Sequence, residues 1–201
     1  MSITLYVEGG AKGALATQCR KGFSLFLKRA GFEGNMPRVV ACGGRSSAYN
    51  DFCTAKKEGK KAILLVDSEA PVADSASRAK PWDHVKNRVG DEWEKPSGAT
   101  DDDLHFMVQC MEAWLIADKK NLSVYFGRGF NESALPKNQD IEKVGKQDLY
   151  KGLSLATKNT QKGEYRKGKH SFEILGELCP NKVRLASPYA DRFLNNLLAM
   201  M

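Results

Sequence analysis

Two short apolar runs, each ending in acid, constrain this chain more than any other feature. Ile3-Thr4-Leu5-Tyr6-Val7 leads into Glu8-Gly9-Gly10, and Ala62-Ile63-Leu64-Leu65-Val66 leads into Asp67-Ser68-Glu69. The second run has no polar alternation, which reads as a strand covered on both faces, as in a parallel sheet. Such sheets bind ligands just outside the carboxyl ends of their strands. If the two strands are neighbours, three carboxylates converge on one crevice. Carboxylates that close repel each other unless a divalent cation holds them together. The pattern predicts a Mg²⁺ or Mn²⁺ site built from Glu8, Asp67 and Glu69.

The segments between and after these runs keep the same rhythm. Leu15, Cys19, Phe23, Phe26 and Ala30 recur at helical spacing after a flexible turn over 9–13, and Gly31 offers a stop. Residues 38–42 read as a short strand after Pro37. Gly43-Gly44-Arg45-Ser46 makes the next turn, with Ser46 capping a helix that ends at Glu58-Gly59. Strand, helix, strand, helix, strand is the signature of an α/β protein with a parallel sheet. Residues 70–100, rich in Ala, Ser, Pro and charge, predict a long excursion around one short helix, with Trp82, His84 and Trp93 covering part of the sheet. Residues 104–108 form a fourth strand that runs into an apolar helix over 111–118. Beyond it the chain is polar and basic, with a helix near 147–158 and two closing helices starting near Ser171 and at Ser187-Pro188. The expected organisation is an α/β core of about four parallel strands flanked by helices over residues 1–118. A basic, mainly helical extension over 119–201 packs on that core.

Charge is unevenly distributed along the 201 residues. Residues 1–60 carry ten Lys/Arg against four Asp/Glu, 61–118 carry six against twelve, and 119–184 carry fourteen against seven. An acidic centre between basic flanks suits an enzyme that holds cations with carboxylates and tracks phosphates with Lys and Arg. No apolar run approaches the roughly 20 residues that span a bilayer, and the first residues lack a secretory signal's basic stretch and cleavage site. The five scattered cysteines include no Cys-x-x-Cys pair, which argues against a zinc knuckle or disulfide framework and fits a reducing cytoplasm.

Val7-Glu8-Gly9 together with Leu65-Val66-Asp67-Ser68-Glu69 resembles the TOPRIM fold of topoisomerases, primases and overcoming-lysogenization-defect nucleases. Two later stretches, residues 107–115 (Met-Val-Gln-Cys-Met-Glu-Ala-Trp-Leu) and 165–171 (Tyr-Arg-Lys-Gly-Lys-His-Ser), are similar to a small bacterial TOPRIM-like family. Members of that family are often encoded beside an ABC-type or AAA-type ATPase. The resemblance implies a Rossmann-like parallel sheet, Glu8 as general acid/base or metal ligand, and Asp67 and Glu69 as magnesium ligands. It also implies an ATPase partner and a place in defence against phage. One departure stands out: TOPRIM enzymes usually carry Asp-x-Asp, and this chain has Asp67-x-Glu69.

Further candidates follow from position. Glu112, just beyond the fourth strand, can join the crevice as a metal ligand, or it can be a helix-start glutamate favoured by the dipole. Lys158, Lys162, Arg166, Lys167 and Lys169 cluster with Tyr165 interleaved, as in a groove for DNA or RNA, and Arg45 in the glycine turn adds a phosphate contact. Lys169 and His170, just before a helix with Ser171 at its cap, are candidates for transition-state stabiliser and proton donor. The leading expectation is a metal-dependent nuclease or nuclease-like subunit. The alternative keeps the fold without the chemistry: a regulatory or toxin-like module controlled by an ATPase, which Asp67-x-Glu69 favours. A phosphoacceptor domain is a poor third, because Gly9-Gly10 follow Glu8 where a second acid is needed.

Overall fold

Four parallel strands in the order β2-β1-β3-β4 carry the fold of this computed structural model: β1 (Thr4–Val7), β2 (Arg38–Ala41), β3 (Ala62–Asp67) and β4 (Leu104–Met107). Residues 3–10, 12–72 and 78–201 are described. Ala11, within the expected turn at 9–13, and residues 73–77, within the expected excursion, lie outside the described residues. All four strands fall where the apolar runs put them. Alternation along β3 is concealed in the sequence because both of its faces are covered. Ile63 and Leu65 join one core cluster, while Ala62, Leu64 and Val66 join the other.

Helices cover the two faces. On one lies α1 (Gly13–Leu27), which carries Cys19, Phe23 and Phe26 into the core and ends in a π-helical turn over Lys28–Phe32 that accommodates Gly31 at φ 97°. On the other lies α2 (Arg45–Lys57), joined by α3 (Pro81–Asn87), with Trp82 and Trp93 packed in the same cluster as Leu64 and Phe106. His84 and Phe106 meet edge to face at 5.1 Å between ring centres, so the excursion covers the sheet as expected. After β4 come α4 (Glu112–Ala117), α5 (Lys119–Phe126), α6 (Lys146–Thr157), α7 (Ser171–Glu177), α8 (Pro180–Ala186) and α9 (Pro188–Ala199). Phe126, Leu149, Leu153, Phe172, Ile174 and Phe193 share one buried cluster with Leu5, Val7, Phe23 and Trp114. The segments on either side of residue 118 thus build a common core.

Helix caps depart from expectation more than strands do. Ser187 caps α9, accepting the Ala190 N–H at 3.0 Å, as expected. The N-cap of α2 is Gly44 rather than Ser46, and that of α7 is His170 rather than Ser171. The Ser171 hydroxyl is used elsewhere, against the Tyr165 hydroxyl at 2.8 Å and the Gly168 N–H at 3.0 Å. Of the cysteines, Cys19 and Cys110 are buried, Cys42 and Cys53 half-buried and Cys179 exposed, all as free thiols. No helix among the described residues is long and apolar enough to cross a membrane.

Candidate functional site

The chain leaves β1 toward β2 on one side and returns to β3 on the other, so the strand order reverses between β1 and β3. A crevice opens at such a switch point because the connecting helices lie on opposite faces. Glu8 and Asp67 stand there. The Glu8 N–H continues the ladder to the Leu65 carbonyl at 3.2 Å, and its Oε2 accepts the Asp67 N–H at 3.2 Å. Gly9 at φ 121° turns the chain away and pairs with Gly43 through two backbone hydrogen bonds of 2.9 and 3.0 Å. A side chain at Gly9 would strain this left-handed backbone and press on the Phe172 ring at 3.1 Å.

Glu69 is held by a different device. Its φ of 67° is left-handed, and its N–H donates to the Gln109 carbonyl at 3.0 Å, beyond the end of β4. A non-glycine residue in this region costs about 1–3 kcal/mol and persists where its surroundings enforce it. As a result the ligand oxygens of Glu8, Asp67 and Glu69 all lie within 4.8 Å of one another.

The acids differ in electrostatic state. Burial, then the neighbouring Glu8 charge, pushes the Asp67 carboxyl up to about 8, against the opposing pull of Lys167. Its Oδ1 accepts the Met111 N–H at 2.8 Å. Glu8 is also raised, chiefly by burial, with Arg45 drawing it back down. For Glu69 burial acts upward, but the hydrogen bond and charge of Lys146 and the charges of Arg45 and Arg88 leave it below the usual range. Each acid faces a cation: Arg45 Nη1 is 3.6 Å from Glu8 Oε2, Lys167 Nζ is 3.9 Å from Asp67 Oδ2, and Lys146 Nζ is 2.6 Å from Glu69 Oε2.

Glu112 lies beside this triad, fully buried at the start of α4. Its Oε1 accepts the Tyr165 hydroxyl at 3.1 Å. Among the described residues its Oε2 has no hydrogen-bond partner, and Lys167 Nζ stands 3.8 Å away. The Lys167 ammonium therefore sits between the Asp67 and Glu112 carboxylates. Burial works against its charge, but Glu112 and Asp67 outweigh that and raise its pKa. The segment bearing Lys167 is pinned at Tyr165, whose N–H donates to Thr157 Oγ1 at 2.7 Å and whose hydroxyl meets Glu112 and Ser171. Tyr165 is thus a buried anchor, not a free stacking platform.

The remaining expected residues scatter. Arg45 is not free to meet a polyanion, because Asp91 takes its guanidinium through two bonds of 2.7 and 2.6 Å. Lys158, Arg166 and Lys169 are exposed on the basic segment, and Lys162 places its ammonium 4.3 Å from the centre of the Tyr125 ring. His170 is buried among Tyr125, Phe126 and Tyr165, and its Nδ1 accepts the Arg166 N–H at 3.2 Å. Burial first, then Lys169, lowers its pKa, and none of these contacts is with the triad. The cation that reaches the acids from this segment is Lys167, two residues before Lys169. Sequence reading missed Lys146, Asp91 and the tie from Tyr165 to Glu112. All three are partnerships between distant segments with no local periodicity to mark them.

No curated protein and no solved structure matches the chain. One family does, over residues 7–198, which include the triad, Glu112 and the lysine-bearing segment. On that match the chain belongs to the family described as Domain of unknown function (DUF4276).

Proposed function

We propose that the protein is a Mg²⁺- or Mn²⁺-dependent phosphodiesterase of the TOPRIM type, acting on DNA or RNA. The observation that carries this reading is the meeting of three carboxylates, within 4.8 Å, at the switch point of a parallel sheet. Their oxygens are hard donors of the kind these cations prefer, and burial together with the neighbouring Glu8 charge raises Asp67 even with Lys167 nearby, a cost that a bound cation would relieve. Glu8, Asp67 and Glu69 would hold the ion, with Glu112 a further ligand through Oε2, which now faces Lys167 at 3.8 Å. A cation held there would supply an activated water and neutralise charge on the leaving phosphate. The resemblance also allows Glu8 to serve as general acid/base in place of a ligand role. Lys167 and Lys146, which face the acids, would receive phosphate oxygens, and the exposed Lys158, Lys162, Arg166 and Lys169 would bear on the substrate backbone. The resemblance adds an ABC- or AAA-type ATPase partner and a role in phage defence.

The test is cleavage of DNA and RNA by pure protein with and without Mg²⁺ or Mn²⁺, with Glu8→Gln and Asp67→Asn as controls. Loss of activity in both variants is expected. Activity that survives both discards the site.

One observation favours a second reading, a non-catalytic module governed by an ATPase. Arg45, Lys167 and Lys146 each stand within 4 Å of one of the three acids, so the cluster is partly compensated without any ion. Absence of binding at millimolar Mg²⁺ and Mn²⁺ would favour the module over the enzyme.

A further inference from the structure

Arg45 opens α2 and occupies an unusual position. Its guanidinium meets Asp91 through Nε–Oδ1 at 2.7 Å and Nη2–Oδ2 at 2.6 Å, the fork geometry in which an arginine binds a carboxylate best. The plane lies 4.7 Å over the Trp93 ring, which stacks in turn on Tyr49 at 4.4 Å and 5°. Tyr49 donates its hydroxyl to the Glu94 carbonyl at 2.6 Å, closing the clasp between α2 and the 88–94 segment. Arg88 adds a second cation to Asp91 at 3.1 Å. Only Nη1 is left to face the acid site, where it donates to the Asp67 carbonyl and stands 3.6 Å from Glu8.

We propose that Asp91 is a positioning residue for the acid triad: by taking the Arg45 fork, it keeps that guanidinium from pairing bidentately with Glu8 and so leaves Glu8 available to a divalent cation. The inference rests on the cation-binding reading above. Its physical content is competition between two carboxylates for one arginine. Asp91 offers both oxygens and is nearly inaccessible to solvent, at 2 % side-chain exposure. Glu8 offers one oxygen at a longer distance. Among the described residues Glu8 is the other carboxylate within 4 Å of this guanidinium, so without Asp91 it can receive the freed fork, and a triad neutralised by a full arginine charge attracts a cation less. The arrangement also accounts for a basic residue at the mouth of an acidic site: Arg45 anchors the Asp67 carbonyl while most of its charge is directed elsewhere.

The experiment is a Mn²⁺ titration, by calorimetry or electron paramagnetic resonance, of the wild type, Asp91→Asn, Arg45→Met and the double variant. Asp91→Asn is expected to bind Mn²⁺ at least about tenfold more weakly, as one uncompensated charge a few ångströms from the ion requires. The double variant, which no longer holds the freed arginine, is expected to return to within about threefold of wild type. Wild-type affinity in Asp91→Asn, or a double variant as weak as it, overturns the proposal. A metal-free crystal structure of Asp91→Asn provides the second measurement. It should show Arg45 swung onto Glu8 with N–O distances of about 3 Å; an arginine that has not moved also overturns the proposal. Should the wild type bind no Mn²⁺, the cation-binding reading fails, and the metal-free structure alone judges the clasp. Asp91→Ser replaces Asp91→Asn, with the same expectations, if the latter does not fold.

Discussion

A buried side chain takes its character here from what surrounds it more than from what it is. Asp67, buried beside Glu8, is held with its proton affinity far above that of a free aspartate. A buried carboxylate whose facing cation, Lys167, stands as far off as 3.9 Å is a cost to folding that its amide isostere reduces. Asp67→Asn is therefore expected to raise the stability of the metal-free protein by about 1–3 kcal/mol while abolishing cation binding. Urea denaturation in the presence of chelator checks the first effect and Mn²⁺ titration the second. His105 gives the opposite case. Its Nε2 faces the Asp102 carbonyl at 2.9 Å and its Nδ1 the Arg192 guanidinium at 3.1 Å, and burial, reinforced by Arg192, depresses its pKa to about 3. Above the ordinary histidine range both the folded and the unfolded chain hold it neutral, so stability is intact there. As pH falls below about 6.5 only the unfolded chain takes up the proton, and stability declines until the folded pKa is reached. Between pH 6.5 and 4.5 this one group should remove about 2–3 kcal/mol. Unfolding midpoints across that range, compared with His105→Gln, isolate the contribution; equal slopes in the two proteins would refute it.

Among the elements, α1 packs closely against α7. Gly22 in the middle of α1 lets the helices touch, since a Cβ there would lie 2.4 Å from the Phe172 carbonyl oxygen. Backbone cannot yield as a flexible side chain can, so Gly22→Ala is expected to destabilise the fold by at least about 1–3 kcal/mol despite alanine's better helix propensity. Thermal denaturation measures it. The junction also bears on the site. Phe172 is the ring against Gly9, and α7 follows directly on the segment that carries Lys167. Tyr165→Phe probes the same segment more gently. Removing the hydroxyl leaves Glu112 Oε1 and Ser171 without their shared partner, at an expected cost of about 1–2 kcal/mol. An unfolding free energy unchanged within error would show that the tie carries no weight.

For the molecule as a whole, the common core makes a fold prediction. The cluster around Trp114, Phe23 and Val7 is completed by Phe126, Leu153, Ile174 and Phe193 from beyond residue 118. A fragment of residues 1–118 would expose that apolar surface to water, so it is expected to lack a cooperative unfolding transition, a point that calorimetry decides. The net charge of +7 and the exposed cluster of Lys158, Lys162, Arg166 and Lys169 make a binding prediction. Affinity for single-stranded nucleic acid should fall with salt. Replacing Lys158, Lys162 and Lys169 by alanine should shrink the slope of log K against log salt by about 0.7 for every phosphate that the protein then leaves unneutralised. A slope that does not change removes these residues from the interface.

Much of this was legible in one dimension. The four strands are local runs of apolar side chains, and a buried strand announces itself wherever it lies. The acids that follow β1 and β3 could be placed at the sheet's carboxyl edge because strand direction in a parallel sheet leaves no other place for them. What only folding decided is which charges face one another. Lys146 lies 77 residues from Glu69, and Arg45 lies 46 from Asp91. Lys167, not its neighbours Lys169 and His170, reaches the acids because Tyr165 and Ser171 anchor the turn at that angle. Hydrophobic pattern is periodic and therefore readable along the chain. Electrostatic partnership depends on distances of a few ångströms between segments far apart in sequence, and those distances exist only once the core has closed.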